Sequence, residues 1–317
     1  MSFSTDVKTE LTHLSNANCC NRAELSALFH IGGSMELNSE GLHVLFQSSH
    51  LGVIRKAVSL IKSLYSVEIT LTSKKQIKFK KHDMYVIRID QSVNRILQEL
   101  SLMGRDGIFF QDLSPEIVSN DCCKRAYLRG AFLAGGSLNR PETATYHLEI
   151  QCFSEKQAHS LMHIANHYEL KAKIAKNKRG FIVYLKEAEK IADFLRVTGA
   201  TQALFMFEDN RIKRDFKNSI NRVINCDIAN ERKALDAASQ QLSHIKLIED
   251  KLKPNQITKS MQEAIFLRKK YPESTLLELS YASQEFLKEP LSKSALNHRF
   301  RAIRDLANRL QIEEEHS

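Results

Sequence analysis

Long apolar runs are missing: none in these 317 residues approaches the ~20 that a bilayer-spanning helix needs. The opening residues MSFSTDVKTELTHL are polar and amphipathic and lack the apolar centre of a secretory signal, so a cytoplasmic location is expected. Cysteine is sparse, with six residues at 19, 20, 122, 123, 152 and 226 and no C-x-x-C. Adjacent cysteines seldom bridge each other, and their spacing is wrong for a zinc site. Buried reduced thiols at the start of two helices are the expected use, with no disulfide, metal or cofactor. Tryptophan is absent, which excludes nothing. Acidic residues fall short of basic ones, 37 against 46 for a net charge of +9, which favours a polyanionic partner. At 43% hydrophobic and 26% charged, the composition is ordinary for a globular protein long enough for two or three domains.

What is present is a repeat. Residues 19–35, CCNRAELSALFHIGGSM, and 122–138, CCKRAYLRGAFLAGGSL, agree at Cys, Cys, Arg, Ala, Leu, Phe, Gly, Gly and Ser. Strand-like segments follow, LHVLFQS at 42–48 and YHLEIQCF at 146–153. In the second, Leu148, Ile150 and Cys152 alternate with His147, Glu149 and Gln151, the period of a half-buried strand. Helical spacing comes next, at 50–65 and, after a cap at Ser154, at 155–167 with Ala158, Leu161, Met162 and Ala165 inward. Second strand pairs are expected at 67–80 with 84–90 and at 170–176 with 180–186, and closing helices at 93–104 and 188–199, each ending on glycine. The unit reads α-β-β-α-β-β-α, used twice over 1–104 and 105–204, an α+β fold.

From 205 the strand signal stops. Residues 205–254 read as a helical connector, with seven basic and three acidic residues across 211–233. Residues 255–312 read as three helices separated by Pro272 and by EPLS at 289–292, with an acidic tail at 313–317. SMQE at 260–263 and TLLE at 275–278 both fit a capping box.

In the repeated helix, Ala126, Gly130 and Ala134 form a stripe of small residues, matched by Ala23, Ala27 and Ile31. Small residues let two helix axes approach closely, so the copies are expected to pair across a pseudo-two-fold axis. Gly32-Gly33-Ser34 and Gly135-Gly136-Ser137 would then lie side by side, the glycines ending their helices in the left-handed conformation. The segment LRGAFLAGGS resembles the LAGLIDADG motif of homing endonucleases, and the doubled unit resembles their single-chain form. The resemblance puts Gly32 and Gly135 where that family carries its metal-binding acids. Glu36, the nearest later acid, has no counterpart in the second copy. A chain of this kind is expected to be no enzyme.

Basic residues recur at the same place in both copies: Lys74, Lys75, Lys78, Lys80, Lys81 and Arg88, then Lys171, Lys173, Lys176, Lys178, Arg179 and Lys186. They fit a saddle that neutralises phosphate or a solvated face. Near the C-terminus, Leu296, Phe300, Ile303, Ala307 and Leu310 share one helical arc, and Lys293, Ser294, Asn297, His298, Arg301 and Arg304 share another, with Ser292 at the start. An apolar side on two supporting helices with a donor-rich side outward is what a recognition helix in the major groove needs. Arg299 and Arg309 flank it within reach of backbone phosphate. His159, His163 and His167 share one helix face without a further ligand and read as solvated.

Together these pieces resemble the WhiA family of bacterial DNA-binding regulators. Asn221, Arg222, Asn225, Asn230 and Lys233 are similar to its connector, LSKSALNHRFRAI is similar to its recognition helix, and the last domain resembles region four of sigma factors. Ile31 departs from the small-residue stripe and is expected to loosen the helix pair. The resemblance implies transcription regulation in cell division and chromosome segregation, or sporulation in some lineages. It also implies a nucleoid-associated place, double-stranded DNA as partner, contacts with transcription machinery or other regulators, and neither membrane nor small-molecule substrate. A metal-dependent homing-type endonuclease and a protein-binding scaffold are the alternatives.

Overall fold

Two helices open the two repeats, and each runs straight into a strand. In the computed structural model, which describes residues 2–39, 41–74, 83–109, 112–143, 145–287 and 289–315, α2 (Asn18–Gly32) passes directly into β1 (Gly33–Asn38). α5 (Asp121–Gly135) passes in the same way into β5 (Gly136–Leu138). The first copy continues as β2 (Gly41–Ser48), α3 (Leu51–Leu64), β3 (Thr70–Lys74), β4 (Met84–Ile89) and α4 (Val93–Glu99). The second continues as β6 (Leu148–Cys152), α6 (Glu155–His167), β7 (Lys173–Asn177), β8 (Gly180–Leu185) and α7 (Ala188–Thr198). Their antiparallel sheets have equivalent orders, β1-β2-β4-β3 and β5-β6-β8-β7. Registers correspond as well: Gly33 faces Phe46, which faces Ile87, as Gly136 faces Ile150, which faces Val183. The fold is therefore the doubled α-β-β-α-β-β-α unit.

Local chemistry accounts for most boundaries. The Ser154 hydroxyl accepts from the Gln157 amide and starts α6. Gly199, at φ +90°, ends α7 in the left-handed conformation that glycine adopts freely. The matching helix of the first copy does not run to Gly104. It stops at Glu99, and Ser101, at φ +53°, makes the turn while the Leu102 amide bonds back to the Leu97 carbonyl at 2.8 Å.

The first copy carries an extra helix at its start. α1 (Phe3–Thr12) buries Phe3, Val7 and Leu11, spaced four apart, and lies against α3 and α5. Phe3 stacks on Phe207 at 6.3 Å, and the Glu10 carboxylate accepts from the amides of Gln202 and Ala203 at 2.7 and 2.8 Å. Those amides open α8 (Thr201–Lys251), so Glu10 caps it from a distant part of the chain.

Helices α2 and α5 pack on each other at the centre of the N-terminal unit, Met1–Asp215. A Cβ on Gly130 would overlap the Glu24 carbonyl oxygen and lie 2.8 Å from the Ala27 Cβ. The pair is therefore as close as its small residues permit. Buried charges cross it: Arg129 donates to Glu24 at 3.0 Å, to the Thr198 carbonyl at 3.1 Å and to Asn16 at 3.0 Å. Lys56 stands 3.8 Å from the same Glu24, whose carboxyl burial pushes up against the pull of both cations.

The C-terminal unit, Phe216–Ser317, holds α9 (Lys259–Lys270), α10 (Leu276–Phe286) and α11 (Lys293–Glu315). Its core joins Ala264, Leu267, Leu279, Leu296, Phe300, Ile303 and Ala307 to Ile245 and Ile248 of α8. The core thus takes in part of 205–254, the segment expected to be a helical connector. Thr275 and Glu278 form both bonds of a capping box at α10. The SMQE box is not used, because α9 already starts at Lys259, after Thr258, and Ser260 lies within it. Among the described residues no helix is long and apolar enough to cross a membrane.

Candidate nucleic-acid interface

Gly32 and Gly135 are the last residues of their helices, but not for the conformational reason expected. Gly33 and Gly136 follow at φ −81° and −80°, extended values open to any residue, and none of the four has positive φ. Space is the constraint. A Cβ on Gly32 would lie 2.9 Å from the Phe46 ring and 3.2 Å from the Ala134 Cβ, and one on Gly135 would lie 2.9 Å from both the Gln151 carbonyl oxygen and the Ile31 Cγ2. Any side chain at either position, a carboxylate included, would force its neighbours to shift. Ile31 does not loosen the pair either: it is buried and fills the volume that Gly135 leaves.

The basic strands divide rather than converge. Lys173 sits in the row Ser137–Glu149–Tyr184–Lys173. Lys176 has the parity of Ile174, whose side chain packs on the core. Successive strand residues alternate faces, so two lysines three apart leave the sheet on opposite sides. The expectation of one basic saddle therefore fails for Lys176. Lys78 and Lys80, with Lys75 and Lys81, lie outside the described residues. Arg88 is engaged by Asp90 at 2.5 Å, and that guanidinium holds the Asp90 carboxyl below its usual range. Lys171 reaches Glu187 at 3.2 Å. His159 and His167 are exposed, each near a carboxylate, Glu155 at 4.0 Å and Asp121 at 3.9 Å.

On α11 the two arcs separate as expected. Leu296, Phe300, Ile303 and Ala307 are buried, while Lys293, Ser294, Asn297, His298, Arg301 and Arg304 are exposed. Two residues behave differently. Ser292 is a cap, its hydroxyl accepting from the Ala295 amide at 3.1 Å. Arg299 turns back to α9, donating to Glu263 at 2.7 Å and to the Ser260 carbonyl at 3.0 Å, so it braces the helix instead of reaching outward.

The brace that sequence reasoning missed is Arg268, 1% exposed. Its Nη1 donates to the Ser274 carbonyl at 2.5 Å and the Tyr271 carbonyl at 3.3 Å, and its Nε to Gln241 at 2.9 Å. The guanidinium also lies over the Phe300 ring at 5.4 Å. It thereby ties the turn between α9 and α10 to α8 and to the apolar side of α11. The available signal was a charge beside Ala264 and Leu267 on the apolar face of α9. Ser283 fixes the other turn: its hydroxyl accepts from the Leu291 amide at 2.8 Å, one residue before the Ser292 cap.

A second cluster sits at the opposite end of α2 and α5. Cys19, Cys20, Cys122 and Cys123 bring their sulfurs within 4.8 Å of one another. Sequence spacing spoke against a metal site, but the fold supplies the second pair from 103 residues away. Burial pushes the Cys20 thiol up to about 12 and Cys123 up to about 11.

Comparison with known proteins accounts for nearly the whole chain. Residues 18–103 match the WhiA N-terminal LAGLIDADG-like domain, 124–217 the WhiA LAGLIDADG-like domain and 220–307 the WhiA C-terminal HTH domain. The chain is 41% identical over 311 residues to the "Probable cell division protein WhiA" of Oceanobacillus iheyensis, covering 98% of each, and 39% identical to that of Bacillus subtilis with the same coverage. The crystal structure of full-length DUF199/WhiA from Thermatoga maritima shares the fold at 21% identity and TM-score 0.60, over 98% of this chain and 99% of that one. The N-terminal LAGLIDADG domain of DUF199/WhiA shares it at 22% and 0.51, over 62% and 90%. The chain belongs to the WhiA family.

Proposed function

We propose that this protein is a sequence-specific, double-stranded-DNA-binding regulator of transcription acting in cell division and chromosome segregation, and that it does not cleave DNA. One observation carries the reading. The exposed side of α11 gathers Lys293, Ser294, Asn297, His298, Arg301 and Arg304, while its other side is buried and braced by Arg268 and Arg299. Arg301 and Asn297 have the donor geometry for guanine and adenine edges in the major groove. Lys293 and Arg304 at the two ends suit phosphate. The family's helix-turn-helix domain over 220–307 and the relatives' name as probable cell division proteins support the same role. The closed space at Gly32 and Gly135 supports the absence of nuclease chemistry.

The test is selection from a random duplex pool with the full chain, followed by binding to the enriched site at two salt concentrations. Enrichment of one motif, with discrimination lost in Asn297→Ala, is expected; a pool that stays random would refute sequence reading. For the N-terminal sheets, the opposite parity of Lys173 and Lys176 breaks up a phosphate track, so these lysines are expected to add little to DNA affinity. Lys173→Glu should then leave the salt dependence of DNA binding unchanged.

A further inference from the structure

The cysteine cluster belongs to the N-terminal unit, and the donor-rich side of α11 to the C-terminal one. Cys19 and Cys20 are the second and third residues of α2, and Cys122 and Cys123 hold the same positions in α5. We propose that these four sulfurs bind one zinc-class divalent cation, tying the N-termini of the two central helices together.

Tetrahedral thiolate sites have Zn–S bonds of ~2.3 Å, which sets the sulfur–sulfur edge at about 3.8 Å. Two opposite edges already have that length: Cys19–Cys20 at 3.9 Å and Cys122–Cys123 at 4.0 Å. The remaining separations stay within 4.8 Å, so the two pairs need to close by about 1 Å at most for a regular tetrahedron. Four sulfurs without an oxygen or nitrogen ligand select a soft or borderline cation over magnesium or calcium. Four ligands also leave no open position, the mark of a structural site.

The electrostatics suit the charge. A divalent ion with four thiolates carries two net negative charges, and all four sulfurs belong to the first turns of their helices, where the dipole favours an anion. Neither Ala17 nor Asn120, the two N-cap residues, gives a side-chain cap bond, so the positive ends of both helices are not offset by a capping side chain there. Cys19 and Cys122 are exposed while Cys20 and Cys123 are buried, giving the ion a way in on one side and a desolvated seat on the other. Binding converts four thiols to thiolates and releases four protons, so the affinity falls in acid.

The experiment uses the full chain, purified under nitrogen with reductant and without a metal-affinity tag. Elemental analysis should give one zinc per chain, and cobalt substitution should give the visible bands of a tetrahedral tetrathiolate. The double variant Cys19→Ser/Cys122→Ser changes only exposed positions and should keep its circular dichroism while retaining less than a tenth of an equivalent of zinc. A chelator should lower the melting temperature of the wild type and leave that of the variant unmoved. Zinc below a tenth of an equivalent in the wild type with no cobalt spectrum would overturn the proposal. So would full zinc content in the variant, or a disulfide among these four residues in protein kept under nitrogen.

Discussion

The glycine ends of α2 and α5 and the outer side of α11 are built in opposite ways. At the first, even a Cβ added at Gly32 or Gly135 would crowd neighbouring backbone or side-chain atoms to 2.9 Å. At the second, six polar side chains stand in solvent with few competing partners; Arg304, beside Asp305 at 3.4 Å, is one that has such a neighbour. The contrast continues within α11, where Arg299 and Arg301 are two residues apart. One is held by Glu263 and a carbonyl, and the other is exposed. The same residue type is thus spent on packing at one position and left open to solvent two residues away.

The largest perturbation should come from the sealed side. Gly130→Val drives a branched side chain into the Glu24 carbonyl and should cost about 4 kcal/mol, read as a lower urea midpoint. Restoring acids with Gly32→Asp/Gly135→Asp should cost about 3 kcal/mol and yield no Mg²⁺-dependent plasmid nicking. Nicking that appears would show that the site can reopen. On the open side, Arg301→Ala should weaken binding to the selected site by about 2 kcal/mol while the melting temperature stays put. Arg299→Ala reverses that pattern, losing about 0.5–1 kcal/mol of stability with discrimination kept.

A pH slope gives a separate readout of the N-terminal unit. Lys8 of α1 lies over the Phe132 ring, and burial pulls its ammonium down to about 8. Between there and the ordinary lysine value of ~10.4, the unfolded chain holds a proton that the folded chain has released. Stability should therefore rise with pH across that window, and Lys8→Met should flatten the rise in denaturant titrations.

Much of the fold was legible because it rests on local periods. Alternation at Leu148, Ile150 and Cys152 and three- and four-residue spacing at Ala158, Leu161 and Ala165 pointed to a strand and a helix near their observed places. Burial on α11 followed the same arithmetic. What failed depended on partners far along the chain. Gly135 is required by Gln151 and Ile31, not by its own dihedrals, and no window around it contains Ile31. Four sulfurs converge only after two helices pair, so ligand spacing within either copy was silent. Arg299 looked outward until Glu263 of α9 was in place. The division of Lys173 from Lys176 was available from strand parity alone, since three residues always change the face.

The cap that Glu10 places on α8 also bears on the order in which the chain is made. Its partner amides at Gln202 and Ala203 lie 192 and 193 positions later, so α1 leaves the ribosome long before the helix it caps exists. Until Phe207 arrives, Phe3 lacks its stacking partner, although α3, α5 and β5 are already there for α1 to lie against. The N-terminal unit therefore reaches its final closure late in translation, when its first and last segments meet.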